Sequence, residues 1–213
     1  MQEKRNKNSK IKKKKDILKT DDRIVEVETR NEFIPINPDI YDVSPFLNSV
    51  CKIDTNKGNA TGFLLKLNNE NNVNFFCLMT NEHVITKEMI GNKEKITIFF
   101  GKKQLEQLEI KLNKDDRIIK EYKNSDLDLD ITIVEIIKKD KINEKYFLLP
   151  DMNIENEKNN LINKEIFVVE FPHGKLGYSK GEIKEIKQYE ITHNANTNKD
   201  SSGSRIILAN QKK

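Results

Sequence analysis

From Phe33 onward the chain is a succession of short apolar runs, each closed off by a polar, turn-prone stretch. They are NSVCKID, ATGFLLKL, NFFCLMT, KITIFF, LEIKLN, DITIVEII, EIFVVEF, GEIKEIKQYEIT and SRIILA. Ile, Val, Phe and Thr dominate them, and LEIKLN and EIKEI alternate apolar with polar, as a half-buried strand does. Long amphipathic helices are not evident; VITKEMI, after His83, has room for a helical turn or two. Short strands at regular spacing predict an all-β sandwich or barrel rather than βαβ units.

A chain of 213 residues has room for one large domain or two small ones. The polar stretch DMNIENEKNN divides the strands into two groups. The expected organisation is a basic tail over 1–22, an extension over 23–43, a first β module over 44–150, a linker over 151–160 and a second β module over 161–213. Residues 1–20 carry nine Lys/Arg against Glu3 and Asp16, a net +7. With +4 for the whole chain, the remainder stands at −3. A basic tail on a weakly acidic body points to an address or a solvated leader rather than to a nucleic-acid-binding body. Lys10, Lys12, Lys13, Lys14 and Lys15 resemble a nuclear-import or polyanion-binding patch. Lys and Asn recur in every loop of this chain, however, and compositional bias is the stronger reading of the run. With so few apolar groups, residues up to about Asp22 are expected to be disordered.

The two cysteines, Cys51 and Cys77, lie in apolar segments and are expected to be reduced core thiols, with a disulfide as the alternative in an oxidising compartment. No run approaches the roughly 20 apolar residues of a membrane span, and no apolar segment follows the N-terminal lysines as in a secretory signal. The expected location is therefore intracellular, cytoplasmic or nuclear.

Three segments carry residues suited to chemistry. His83 follows an apolar strand in LMTNEHVI, Asp130 opens one in DLDITIVEI, and Ser202 precedes Gly203 in DSSGSR. Each has a plain structural reading: a strand-end histidine, a strand-start turn aspartate and a loop serine. Together they supply a base, a carboxylate able to fix its tautomer, and a hydroxyl on a tight turn. No histidine lies at metal-ligand spacing from the cysteines, and no cofactor is expected.

The combination T-x-x-H-V, then D-I-T-I, then S-S-G-S resembles the trypsin-like (chymotrypsin-fold) serine peptidases, and most of all their cysteine-poor intracellular branch. The match covers about Ser44 to Leu208, and the order His, Asp, Ser is the one that fold uses. The resemblance implies two packed antiparallel β-barrels with the catalytic groups in the cleft between them. Ser202 would be the nucleophile, His83 the general base and Asp130 its orienting carboxylate. The backbone amides of Asp200 and Ser202 would form the oxyanion hole, and Thr192, His193 and Asn196 would border the specificity pocket. Asn196 is neutral, so a preference for Lys or Arg is not expected; His193 reads equally well as a strand residue with a satisfied hydrogen bond.

Several positions depart from the family pattern. Asp200 stands where glycine is usual, and its side chain and charge both oppose an oxyanion hole. Arg205 replaces a usual proline. Position 201 is serine, so activation by a freed N-terminus is not expected. Only Gly203 to Lys213 follow the nucleophile, so the second barrel is expected to be incomplete at the C-terminus. The leading reading is a serine endopeptidase of reduced activity acting on peptide or protein substrates. The alternative is a catalytically inactive protease-fold binding module. FPHGKLGY is read as a hairpin turn with His173 exposed.

Overall fold

The computed structural model describes residues 44–68, 73–101, 105–127, 129–150, 154, 156–187, 190–197 and 201–208, with three short strands before them. Those strands are β1 (Lys19–Thr20), β2 (Arg23–Ile24) and β3 (Ile34–Pro35). The chain forms two compact units, Met1–Asn31 and Glu32–Lys213. Within the first, β1 and β2 pair antiparallel, Lys19 opposite Ile24. Lys10 to Lys15 and Asp200 lie outside the described residues.

In the second unit, β3 is followed by α1 (Ser44–Leu47) and then by a seven-stranded antiparallel sheet. Its strands are β4 (Val50–Thr55), β5 (Gly58–Asn68), β6 (Asn74–Thr80), β7 (Lys95–Phe100), β8 (Glu106–Lys111), β9 (Ile119–Asn124) and β10 (Leu129–Glu135). The order across the sheet is β8-β7-β4-β5-β6-β10-β9. Laid flat, its edges would stand about 29 Å apart. The edge strands are consecutive in the chain, and Lys111 to Ile119 would reach only about 27 Å fully extended. That connection is in fact coiled, with Asp116 N and Arg117 N donating to Asn113 O at 3.1 and 3.2 Å. The sheet therefore has to curl into a barrel. One buried cluster fills it, drawing on all seven strands through Ile53, Leu64, Leu78, Ile98, Ile110, Ile119 and Val134.

Between β6 and β7 lies α2 (Lys87–Gly91), the short helix that VITKEMI allowed. Thr86 caps it, its hydroxyl oxygen accepting from Met89 N at 3.3 Å, and Met89 and Ile90 face the core.

The second sheet follows the short helix α3 (Lys158–Leu161) and comprises β11 (Glu165–Glu170), β12 (Gly177–Ile186), β13 (Ile191–His193) and β14 (Arg205–Leu208). The order is β13-β12-β11-β14, again antiparallel, and β3 joins it against Gly177 and Tyr178. The sequence reading did not anticipate β3 or β9. It also ran β13 together with part of β12, whereas Lys187 N donates to Glu190 O at 2.8 Å and turns the chain there. One small core lies on this sheet, around Ile166, Val168 and Ile183. Another, of Leu47, Val50, Val169, Phe171, Tyr178 and Ile207, joins the second sheet to α1 and the start of β4. FPHGKLGY contains a tight turn at Pro172–Gly174 with His173 exposed, but Gly177 already belongs to β12.

The second unit is all-β with two antiparallel sheets, as the strand pattern implied. Cys51 and Cys77 are free and buried. They sit on β4 and β6 with β5 between them, so two strand spacings, about 10 Å, exceed a disulfide's reach. Burial pushes the Cys77 thiol up to about 12 and raises that of Cys51 as well. No helix among the described residues is long and apolar enough to cross a membrane.

Candidate active site

Strand β6 ends at Thr80, and the chain turns at once, Val84 N and Ile85 N both donating to Asn81 O at 3.2 and 3.3 Å. Val84 and Ile85 are apolar and go inward; His83 is left on the rim, its side chain half exposed. Asp130, the second residue of β10, receives that turn. Its backbone carbonyl accepts from Asn81 Nδ2 at 2.8 Å, and its carboxylate oxygen Oδ1 accepts from Glu82 N at 2.7 Å and His83 N at 3.1 Å. The other oxygen, Oδ2, accepts from His83 Nδ1 at 2.5 Å. Two residues on, the Thr132 hydroxyl donates to Ile85 O at 2.9 Å and ties the far side of the turn to the same strand.

The electrostatics follow from these contacts. Partial burial alone would push the Asp130 carboxyl up. The His83 Nδ1–H, the His83 and Glu82 amides and the charge on His83 together outweigh it and hold the carboxyl below the usual carboxylate range. An ionised Asp130 accepting from Nδ1 fixes the tautomer whose Nε2 lone pair is free, which leaves that nitrogen able to accept a proton.

Ser202 sits in a turn closed by Ser201 O, which accepts from Ser204 N at 2.9 Å and also from the Ser204 hydroxyl. Gly203 has φ +82°, the value that a type II turn requires at its third residue and that glycine adopts without penalty. The turn is pinned to the first sheet, since Thr61 N donates to Ser202 O at 3.0 Å. Thr61 is a hub. Its hydroxyl oxygen accepts from Phe171 N at 3.0 Å, while its carbonyl accepts the Thr80 hydroxyl at 2.7 Å. Thr61 and Thr80 are buried, and Thr80 is three residues before His83. One chain of buried hydrogen bonds thus runs from the serine turn to the strand end that carries the histidine. No hydrogen bond joins the Ser202 hydroxyl to the His83 ring among those of the described residues.

Sequence reasoning noted Thr80 only as the T of T-x-x-H and gave Thr61 no role. Buried threonines in apolar strands are a usable signal, because a hydroxyl that loses water needs a partner.

Of the residues suggested for a specificity pocket, Thr192 and His193 are successive on β13 and so face opposite sides; Thr192 is exposed, His193 and Asn196 half-buried. Burial pushes the His193 imidazole down, and a hydrogen bond to the Ala195 backbone opposes that shift. Ala195 lies directly on Gly181 of β12, where a Cβ would meet Ala195 Cα at 2.6 Å and Cβ at 2.7 Å. Only glycine lets the 194–196 segment lie that close to the strand. Among the described residues, no three His, Cys, Asp or Glu side chains converge as a metal site requires.

No protein-family model and no curated protein matches the chain. Among solved structures it is similar to the inactive form of the Rv3671c protease, at 17% identity over 82% of this chain and 80% of that one, with a TM-score of 0.49. A mutant of the same protease, from M. tuberculosis H37Rv, matches at 16% identity over 82% of this chain and 77% of that one, with a TM-score of 0.49. A human pathogenic astrovirus serine protease matches at 16% identity over 75% of each chain, with a TM-score of 0.47. The structural neighbours are serine proteases. Superpositions this loose leave the reading of the site to the chain's own geometry.

Proposed function

We propose that this chain is a serine-type endopeptidase in which Ser202, His83 and Asp130 act as a triad. The observation that carries the reading is the doubly anchored carboxylate. One Asp130 oxygen is held by two backbone amides, and the other meets His83 Nδ1 at 2.5 Å. A strand-start aspartate serving only its own turn would not need a half-exposed imidazole as its third partner.

In the proposed reaction, Ser202 Oγ attacks the scissile carbonyl and its proton passes to His83 Nε2. The resulting imidazolium is stabilised by Asp130 and returns the proton to the leaving amine. Water repeats the cycle to free the acyl group. The Ser202 amide would be one oxyanion donor, with the Asp200 amide as the expected second.

A fluorophosphonate probe tests this directly. Ser202-dependent labelling of the wild type is expected, lost in Ser202→Ala and reduced by orders of magnitude in His83→Ala. Folded wild type that labels no faster than Ser202→Ala would sink the enzyme reading and leave a protease-fold binding module in its place.

A further inference from the structure

Glu82 is an odd residue for its position. It lies inside the turn between Asn81 and His83, its side chain is only 9% exposed, and an apolar group would fill the same space without desolvating a charge. Its carboxylate is not wasted on solvent. Oε2 accepts from Lys123 Nζ at 2.5 Å, and Oε1 accepts from Lys87 N at 3.4 Å, at the start of α2. Lys123 is on β9, and its Cα partner across the ladder is Asp130. The ammonium thus stands between two carboxylates, one hydrogen-bonded and one in Coulomb reach. Its pKa is raised by the hydrogen bond to Glu82, then by the charge of Glu82, with a smaller contribution from Asp130.

We propose that Glu82 and Lys123 form a positioning pair that clamps the His83 turn onto β9 and thereby sets the His83 imidazole and the two turn amides against Asp130. The backbone of that turn already hydrogen-bonds to β10. What the pair adds is a tie from the Glu82 side chain of the same turn to the largely exposed Lys123 on β9 and, through Lys87 N, to α2. The His83 turn is then held on three elements rather than one. Lys123 also neutralises Glu82, which otherwise would place an uncompensated carboxylate one residue from His83. Loss of Lys123 leaves that carboxylate without its cation, and the favourable response is for the Glu82 side chain to swing toward water, which drags the turn with it.

The consequence for rate rests on the triad reading above; the consequence for geometry does not. In Lys123→Ala, kcat is expected to fall about 10-fold to 100-fold, the scale of a sub-ångström to ångström misplacement, with KM little changed. Lys123→Arg, which keeps a cation and donors for the Glu82 carboxylate, should recover most of the loss. Glu82→Gln combined with Lys123→Ala should be less impaired than Lys123→Ala alone, because the uncompensated charge is gone. Lys120→Ala, an exposed lysine on the same strand, is the control for a general effect of removing a cation from β9.

A readout independent of turnover is the downfield proton resonance of His83 Nδ1–H, bonded to Asp130. It should weaken or move in Lys123→Ala and return in Lys123→Arg. Wild-type kcat and an unmoved resonance in Lys123→Ala would overturn the pair. If the wild type shows no Ser202-dependent labelling at all, the triad reading fails, and the resonance alone then decides for or against the clamp.

Discussion

Replacing Gly203 by alanine probes the link between the serine turn and the histidine strand. At φ +82° an L side chain costs roughly 1–2 kcal/mol in strain. A Cβ built there would lie 2.5 Å from Thr80 Oγ1 and would clash harder still with Thr61 O, both fixed in one buried hydrogen bond. Neither atom is the end of a flexible chain, so the turn itself has to back away by half an ångström or more. That movement stretches the 3.0 Å bond from Thr61 N to Ser202 O, and a buried amide left without its acceptor costs about 1–3 kcal/mol. The total is about 2–5 kcal/mol, or roughly 5–15 °C in Tm for a unit of this size. Labelling of Ser202 should slow by about 100-fold, because the hydroxyl moves with the turn. Gly58→Ala is the control: Gly58 has φ +133° but nothing within 4 Å of its missing Cβ, so it carries strain without collision. Thermal unfolding and probe labelling of both variants, side by side, make the assay. Gly203→Ala with wild-type labelling and a Tm loss no larger than that of Gly58→Ala would refute the pinned turn.

Two further outcomes are expected. The Asp130 carboxyl is held below its ordinary value, so its contribution to stability is fully present above the unfolded carboxyl value, about pH 3.9, and is lost as pH falls through the lower folded value. Asp130→Asn should therefore lack part of the wild-type loss of Tm below about pH 4 and should label about 10³–10⁴-fold more slowly at neutral pH; identical Tm profiles from pH 2 to 6 would contradict the hydrogen-bonded carboxylate. On the other side of the barrel, Arg117 and Asp140 form a two-pronged ion pair at 2.9 and 3.2 Å with side chains 3% and 5% exposed. Asp140→Ala strands the guanidinium with the Glu135 carbonyl as its remaining acceptor and should cost about 3–5 kcal/mol in urea unfolding, and a loss below about 1 kcal/mol would show that the charge finds water instead.

The strands were legible where apolar residues were dense or alternated. NFFCLMT, KITIFF and EIFVVEF became β6, β7 and β11 with boundaries shifted by a residue at most. Strand β9, IKEYKN, was not, because Lys, Glu and Asn fill four of its six positions and its one buried side chain, Ile119, makes no pattern. Strand β3 is two residues long and is defined only by its partner on β12. Periodicity registers a strand through the face it buries, and a strand that buries little has to be recognised by its neighbours.

The site divides in the same way. Sequence by itself determined which groups were chemically able to serve, a histidine after one strand, an aspartate opening another and a serine before a glycine, since residue type and strand polarity are local properties. Only the tertiary structure decided that Asp130 spends one oxygen on the turn's amides and the other on His83 Nδ1, contacts that span 47 and 48 positions in the chain. It alone made Thr61 and Thr80 the link to the serine turn and set Lys123 against Glu82. The physical reason is that hydrogen bonds across a barrel are fixed by register and closure, and both arise from the packing of all seven strands around one core.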